Sequence, residues 1–339
     1  MRCSLKSKSF KSAIFLAVAI LGFVGNAFAC GPSFPNNLLD AGDNAVLQAP
    51  VADFQRELER MKLVTAKAHA VPLADGQKFY DQSSEVEMTD LAAALKREKV
   101  SSEQATVIMQ AHLAERMKLN VFLSAQNEWT NFSSYIFDAS GSHAQANTNP
   151  PPVFPAIAVT PGLPREFADY FEGAIAWHNG GGWAAAEPWE RLLQLPPTER
   201  HFKSTWAAFM LAQYYDNPTN DFTDDESMKY FEQVRALAKD GFADSLGLAT
   251  ASIGGEARIY LRRKNYERAI ELYLEQFTAG DDSAVNSLRF TVARAISETN
   301  STPAQLKILA LNPLTCRVIT AYLISRNPYT DPHEAETDP

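Results

Sequence analysis

The chain has 339 residues, a formal charge of −9 and a hydrophobic content of 46%, enough for one large domain or two ordinary ones around a true core. An acidic surface without a Lys/Arg stripe repels phosphate backbones, which argues against nucleic acid as the partner. After the first 24 residues, no apolar run approaches the about 20 residues of a membrane-spanning helix, so no transmembrane helix is expected in the mature chain.

Residues 1–29 read as a secretory signal. Arg2, Lys6, Lys8 and Lys11 form a basic start, an apolar run occupies residues 13–24, and Ala27 and Ala29 are small residues before a cut. Removing four basic and no acidic residues takes the charge from −9 to −13. Cleavage after Ala29 puts Cys30 at the new N-terminus, and two fates stay open there. The segment resembles a bacterial lipoprotein signal, which implies a lipid anchor at Cys30; in an oxidising compartment, Cys30 and Cys316 instead make an even pair able to close a disulfide. Either way the protein is exported, to the periplasm or cell envelope.

Helical periodicity runs through the mature chain, and the alternation of half-buried strands is nearly absent, so the fold is expected to be all-α. Residues 30–137 form an N-terminal helical region. Within it Phe54, Leu58 and Met61 mark one apolar face and Leu91, Ala94 and Leu95 another, and Ser101 with Gln104 has capping-box spacing before "ATVIMQAHLAERMKL". Residues 138–164, dense in Ser, Asn, Gly and Pro, lack helical period and read as a linker or long surface loop. Residues 165–326 carry the repeats described next, and residues 327–339 read as a disordered tail.

Small residues recur at matched offsets after the linker. Gly173 is followed by Ala185, Trp189 and Pro197; Ala257 is followed by Ala269 and Tyr273, with Ala212 at the corresponding point of a looser middle copy. Two helices packed as a pair need small side chains where their backbones approach, and aromatics fill the groove between neighbouring pairs. Over residues 163–297 this pattern resembles the tetratricopeptide-repeat superfamily, although spacings of 39 and 45 between the small positions exceed the usual about 34. The resemblance implies a helix-hairpin solenoid, here with an additional N-terminal helical region, whose concave face touches a protein or peptide partner. Counting from Gly173 places Tyr170, Trp177 and His178 on that face, joined by Gln213 from the second copy and by Arg258 and Arg262 from the third. An aromatic entrance with two guanidinium groups beyond it suits a peptide carrying carboxylates.

Catalytic signatures are mostly missing: there is no G-x-S-x-G, H-E-x-x-H, P-loop or C-x-x-C. "HNGGG" at 178–182 reads as the tight turn of the first helix pair. His112 and Glu115, three apart on a helix, lack the second pair a metal site needs and read as an exposed polar face. No metal or cofactor is called for. Glu226 resembles the acid of a lytic transglycosylase, yet Thr223 and Glu226 fit a capping box that explains them without chemistry. The leading expectation is a non-catalytic scaffold or binding protein of the envelope; the alternatives are a carbohydrate or nutrient-binding lipoprotein using Trp177, and a cell-wall lytic enzyme using Glu226.

Overall fold

The computed structural model describes residues 51–64, 76–135, 149–180, 182–216, 224–300 and 309–326. The signal, Cys30, Thr223 and the tail at 327–339 lie outside the described residues. Among those described there is no strand, and the fold is all-α. The helices are α1 (Val51–Arg60), α2 (Gly76–Arg97), α3 (Ser102–Tyr135), α4 (Arg165–His178), α5 (Gly182–Leu193), α6 (Ser204–Tyr215), α7 (Asp224–Lys239), α8 (Leu248–Arg262), α9 (Tyr266–Thr278), α10 (Ala284–Asn300) and α11 (Pro313–Ser325).

From α4 onward consecutive helices pack in pairs, α4 with α5, α6 with α7 and α8 with α9. Each second helix also packs on the next first helix, and α6 touches both α4 and α8. The small residues explain the closeness. A Cβ on Gly173 would lie 2.3 Å from Nε1 of Trp189, whose indole N–H donates to the Tyr170 carbonyl at 3.1 Å. Two adjacent glycines do the same for α8: a Cβ on Gly255 would meet the Phe231 ring of α7, and one on Gly254 the Gln276 amide of α9. Ala257 and Ala269 are both fully buried, on two helices that pack together. Between α4 and α5 the turn at "HNGGG" uses Gly180 at φ 76°, the left-handed region that favours glycine.

Helix α6 is enclosed on all sides. Every residue from 204 to 214 is buried, including Trp206, Phe209, Leu211 and Ala212, as expected of a helix apolar around its whole circumference. It lacks a side-chain cap of its own, because Lys203 precedes it; Glu166 of α4 supplies one, accepting the amides of Phe202 and Lys203 at 2.7 and 2.8 Å. The Lys203 amide is among the orphan donors any helix start must satisfy.

The N-terminal region, read as one unit from sequence, divides in space. Helix α1 packs on α10 and α11, with Phe54 edge-on to Tyr322 at 6.0 Å, and so covers the far end of the stack. Helices α2 and α3 form a hairpin on the first pair, where Leu91, Ala94 and Leu95 surround Phe167 and where Leu119, Phe122 and Leu123 meet Phe171 and Ala174. The Ser101 hydroxyl caps α3 through the Gln104 amide at 3.3 Å. Residues 149–164 carry no helix, yet their apolar members bury: Phe154 lies edge-on to Phe122 at 5.0 Å, Ile157 and Val159 pack on the same cluster, and the Ala158 amide donates to Glu115. This half of the expected linker is a strap along α3. Among the described residues no helix is long and apolar enough to cross a membrane.

Candidate functional site

The residues assigned to the inner face separate into a buried set and a half-exposed set. Tyr170 is 1% exposed, edge-on to Trp206 at 5.4 Å and over Lys203, so it offers nothing to a ligand. Gln213 is 7% exposed and accepts from Arg258 at 3.3 Å. Both residues are removed from the contact surface because α6 is enclosed. Trp177 and His178 remain half-buried at the C-terminal end of α4.

The two arginines are already committed. Asp216, just past the end of α6, accepts from both Arg258 and Arg262; Asp224 accepts from Arg262 at 3.0 Å and from Arg263 at 2.7 Å, and Asp225 takes the other fork of Arg263 at 2.9 Å. Three carboxylates face three guanidinium groups, and the network carries no surplus positive charge. A receptor for partner carboxylates, expected at Arg258 and Arg262, is therefore replaced by an internal clasp holding the end of α8 to the start of α7.

Beside the clasp runs an aromatic series that sequence reasoning found only at its Trp end. Trp189 and Trp177 have ring centres 5.9 Å apart, Trp177 and Tyr214 6.4 Å, Tyr214 and Tyr215 5.0 Å, and Tyr215 stacks on Tyr230 at 5.4 Å with planes 6° apart. The series crosses from the first helix pair to the second. At its far end the hydroxyls of Tyr215 and Tyr230 both donate to one oxygen of Glu190, at 3.2 and 3.4 Å. Burial, and then the Glu190 charge, pushes both phenols up, Tyr230 to about 12. Glu190 has no ion-pair partner among the described residues. No motif marks Glu190; the only hint in the sequence is the Tyr-Tyr pair where α6 stops.

A second polar cluster lies at the other end of α6, without an opening. Glu87 of α2 forms an ion pair with Arg116 at 2.9 Å, meets His112 at 3.3 Å, and has the Lys203 ammonium at 3.7 Å; all four side chains are at most 1% exposed. Lys203 also sits 3.2 Å from the centre of the Trp206 ring, a cation–π contact in a desolvated place. Burial alone would raise the Glu87 pKa, but Lys203, Arg116 and His112 hold it well below the usual carboxylate range. Burial raises Asp90, which accepts from Ser245 at 3.0 Å, and lowers Lys203. His112 is thus no part of an exposed polar face: its ring lies against Phe171 at 4.9 Å, while Glu115 turns away to Lys118 and to the strap.

Glu226 is exposed on the first turn of α7 and lacks the desolvated setting a general acid requires. Cys316 is half-buried on α11. An apolar stripe on α3, comprising Leu113, Met117 and Val121, stands beside Val153 of the strap with all four exposed. Among the described residues no group of three His, Cys, Asp or Glu side chains is placed to hold a metal ion. Compared with protein-family models, with curated proteins and with solved structures, the chain finds no match.

Proposed function

We propose that this chain is an exported, non-catalytic binding protein whose tetratricopeptide-like stack of helix pairs presents a surface to a protein or peptide partner in the cell envelope. The aromatic series from Trp177 to Tyr230 carries the reading. Its members Trp177, Tyr215 and Tyr230 are half-buried, it spans two helix pairs, and Trp177 packs on the fully buried Trp189. Rigid aromatic side chains of this kind give a peptide large contact area at small cost in conformational entropy. The basic start and apolar run of residues 1–29 support export, and Cys30 would head the mature chain, either lipidated or bridged to Cys316.

Capture of the partner tests the reading. Mature protein coupled to a support is exposed to an envelope extract, beside Trp177→Ala and a control, Trp183→Ala, whose ring is 80% exposed and in none of these ring contacts. Loss of Trp177 from the centre of the contact is expected to weaken capture at least about tenfold, the size of an ordinary hot-spot truncation. The control should capture normally. Equal capture by Trp177→Ala and wild type would refute binding at this surface.

A further inference from the structure

The charge balance of the stack identifies what the partner brings. Several enclosed or half-enclosed carboxylates of the helix pairs meet cations: Asp169 meets Arg191, Glu256 meets Arg235, and Asp216 and Asp224 meet Arg258, Arg262 and Arg263. Glu190 does not, nor does Glu267 of α9, which accepts from the neutral Asn312 amide; of the two, Glu190 is the one hydrogen-bonded by aromatic side chains. Its neighbour Arg191 turns to Asp169 and Glu172 of α4, and among the described residues the only donors on Glu190 are two neutral phenols. Phenols satisfy hydrogen-bonding capacity but leave the negative charge in place. That charge is set among Tyr214, Tyr215 and Tyr230, whose π faces attract cations; Lys229 already lies over the Tyr230 ring, 5.7 Å from its centre.

We propose that Glu190, framed by Tyr215 and Tyr230, receives a cationic side chain of the partner, a guanidinium or ammonium group on a basic peptide. This rests on the binding reading above and inverts the polarity expected from Arg258 and Arg262. A carboxylate held in place by two hydroxyl groups is preorganised for a charge-assisted bond, which is shorter and about twice as strong as a neutral one. Entry of the cation costs little rearrangement, because the phenols need not move. The mature chain's overall acidity steers a basic peptide toward it.

The probe is N-acetyl-triarginine amide, titrated against the full mature protein with tryptophan fluorescence as the readout. Its neutral isostere, the tricitrulline peptide, and a triglutamate peptide serve as ligand controls. Saturable binding of triarginine is expected, with tricitrulline and triglutamate at least about tenfold weaker, the gap associated with one charge-assisted contact. Glu190→Gln keeps an acceptor for both phenols and removes the charge; it should lose a similar factor, whereas Glu275→Gln, an exposed acid on α9, should lose less than about twofold.

Equal affinity for triarginine and tricitrulline overturns the proposal without any variant. So do equal losses in the two glutamine variants, which would reveal only diffuse attraction, and so does preferential saturation by a neutral oligosaccharide, which would assign the rings to sugar stacking. Envelope-partner capture separates the two levels: capture kept by Glu190→Gln but lost by Trp177→Ala removes the cation site and leaves the binding reading intact.

Discussion

The two ends of α6 hold similar residues and arrange them differently. At its N-terminal end Glu87, His112, Arg116 and Lys203 are sealed from water, and the carboxylate is matched by positive charge. At its C-terminal end Asp216 and Asp224 are matched at a half-exposed surface, and Glu190 has no counter-charge among the described residues. The sealed end joins the α2–α3 hairpin to the first pair and to the loop before α6, so its charges act in assembly. The open end costs little to leave unbalanced, since solvent reaches it, and a charge left unbalanced there is available to a ligand. Location relative to water, more than residue type, separates an architectural ion cluster from a receptor.

The largest effect expected from this contrast is at Glu87. Replacing it with Gln leaves Lys203 and Arg116 in a dry site without their counter-charge, the situation that costs about 3–5 kcal/mol when one partner of a buried pair is removed. Denaturant unfolding of the full mature chain measures it, and a loss below about 1 kcal/mol would erase the distinction between the two ends. The pH dependence has a definite sign. Glu87 has a folded-state pKa below its ordinary 4.5, so its contribution is complete above that value and drains away as pH falls through it toward the folded pKa. The wild-type advantage over Glu87→Gln should therefore shrink in acid. Asp90 works the other way, because burial raises it and protonation relieves the penalty; the Glu87 charge adds to that rise, so Glu87→Gln removes part of it and the Asp90 contribution partly offsets the Glu87 trend.

Much of the stack was legible because the information is local. The offset from Gly173 to Ala185 and Trp189 falls within one helix pair, and the structure puts the Trp189 indole where a Cβ of residue 173 would stand. The charge clusters were not legible, since their members come from distant segments. Glu87 and Lys203 are 116 positions apart, and Arg258 reaches back 42 positions to Asp216. A histidine or arginine on a helix looks like a solvated or ligand-facing residue until the element covering it is known. His112 was misplaced because α2 covers it, and Arg258 and Arg262 because Asp216 stands where α6 stops. Phe154, Ile157 and Val159 were lost among prolines for a related reason: a strap without period buries its apolar side chains by lying along a neighbour.

At the open end, removing a charge should barely alter stability. Arg262 has 37% of its side chain exposed and shares Asp216 with Arg258, which stays in place when Arg262 is shortened to Ala. The expected cost is at most about 1 kcal/mol, as for other solvent-accessible ion pairs. A cost near that of Glu87→Gln would mean that the clasp is as architectural as the sealed cluster.

The smallest effect concerns the tyrosines themselves and reports most directly on Glu190. In an alkaline absorbance titration, with folding followed in parallel by circular dichroism, Tyr230 should ionise near pH 12 and Tyr215 above its ordinary 10. Burial is the leading cause and the Glu190 charge the next, so Glu190→Gln should bring both downward but leave them above 10. Triarginine offers an independent check, because guanidinium stays charged at these pH values. A cation seated on Glu190 favours phenolate and must lower both ionisations, whereas one bound at another acidic patch leaves them where they were. A titration unmoved by saturating triarginine would place the cation away from Glu190, even if the peptide binds tightly.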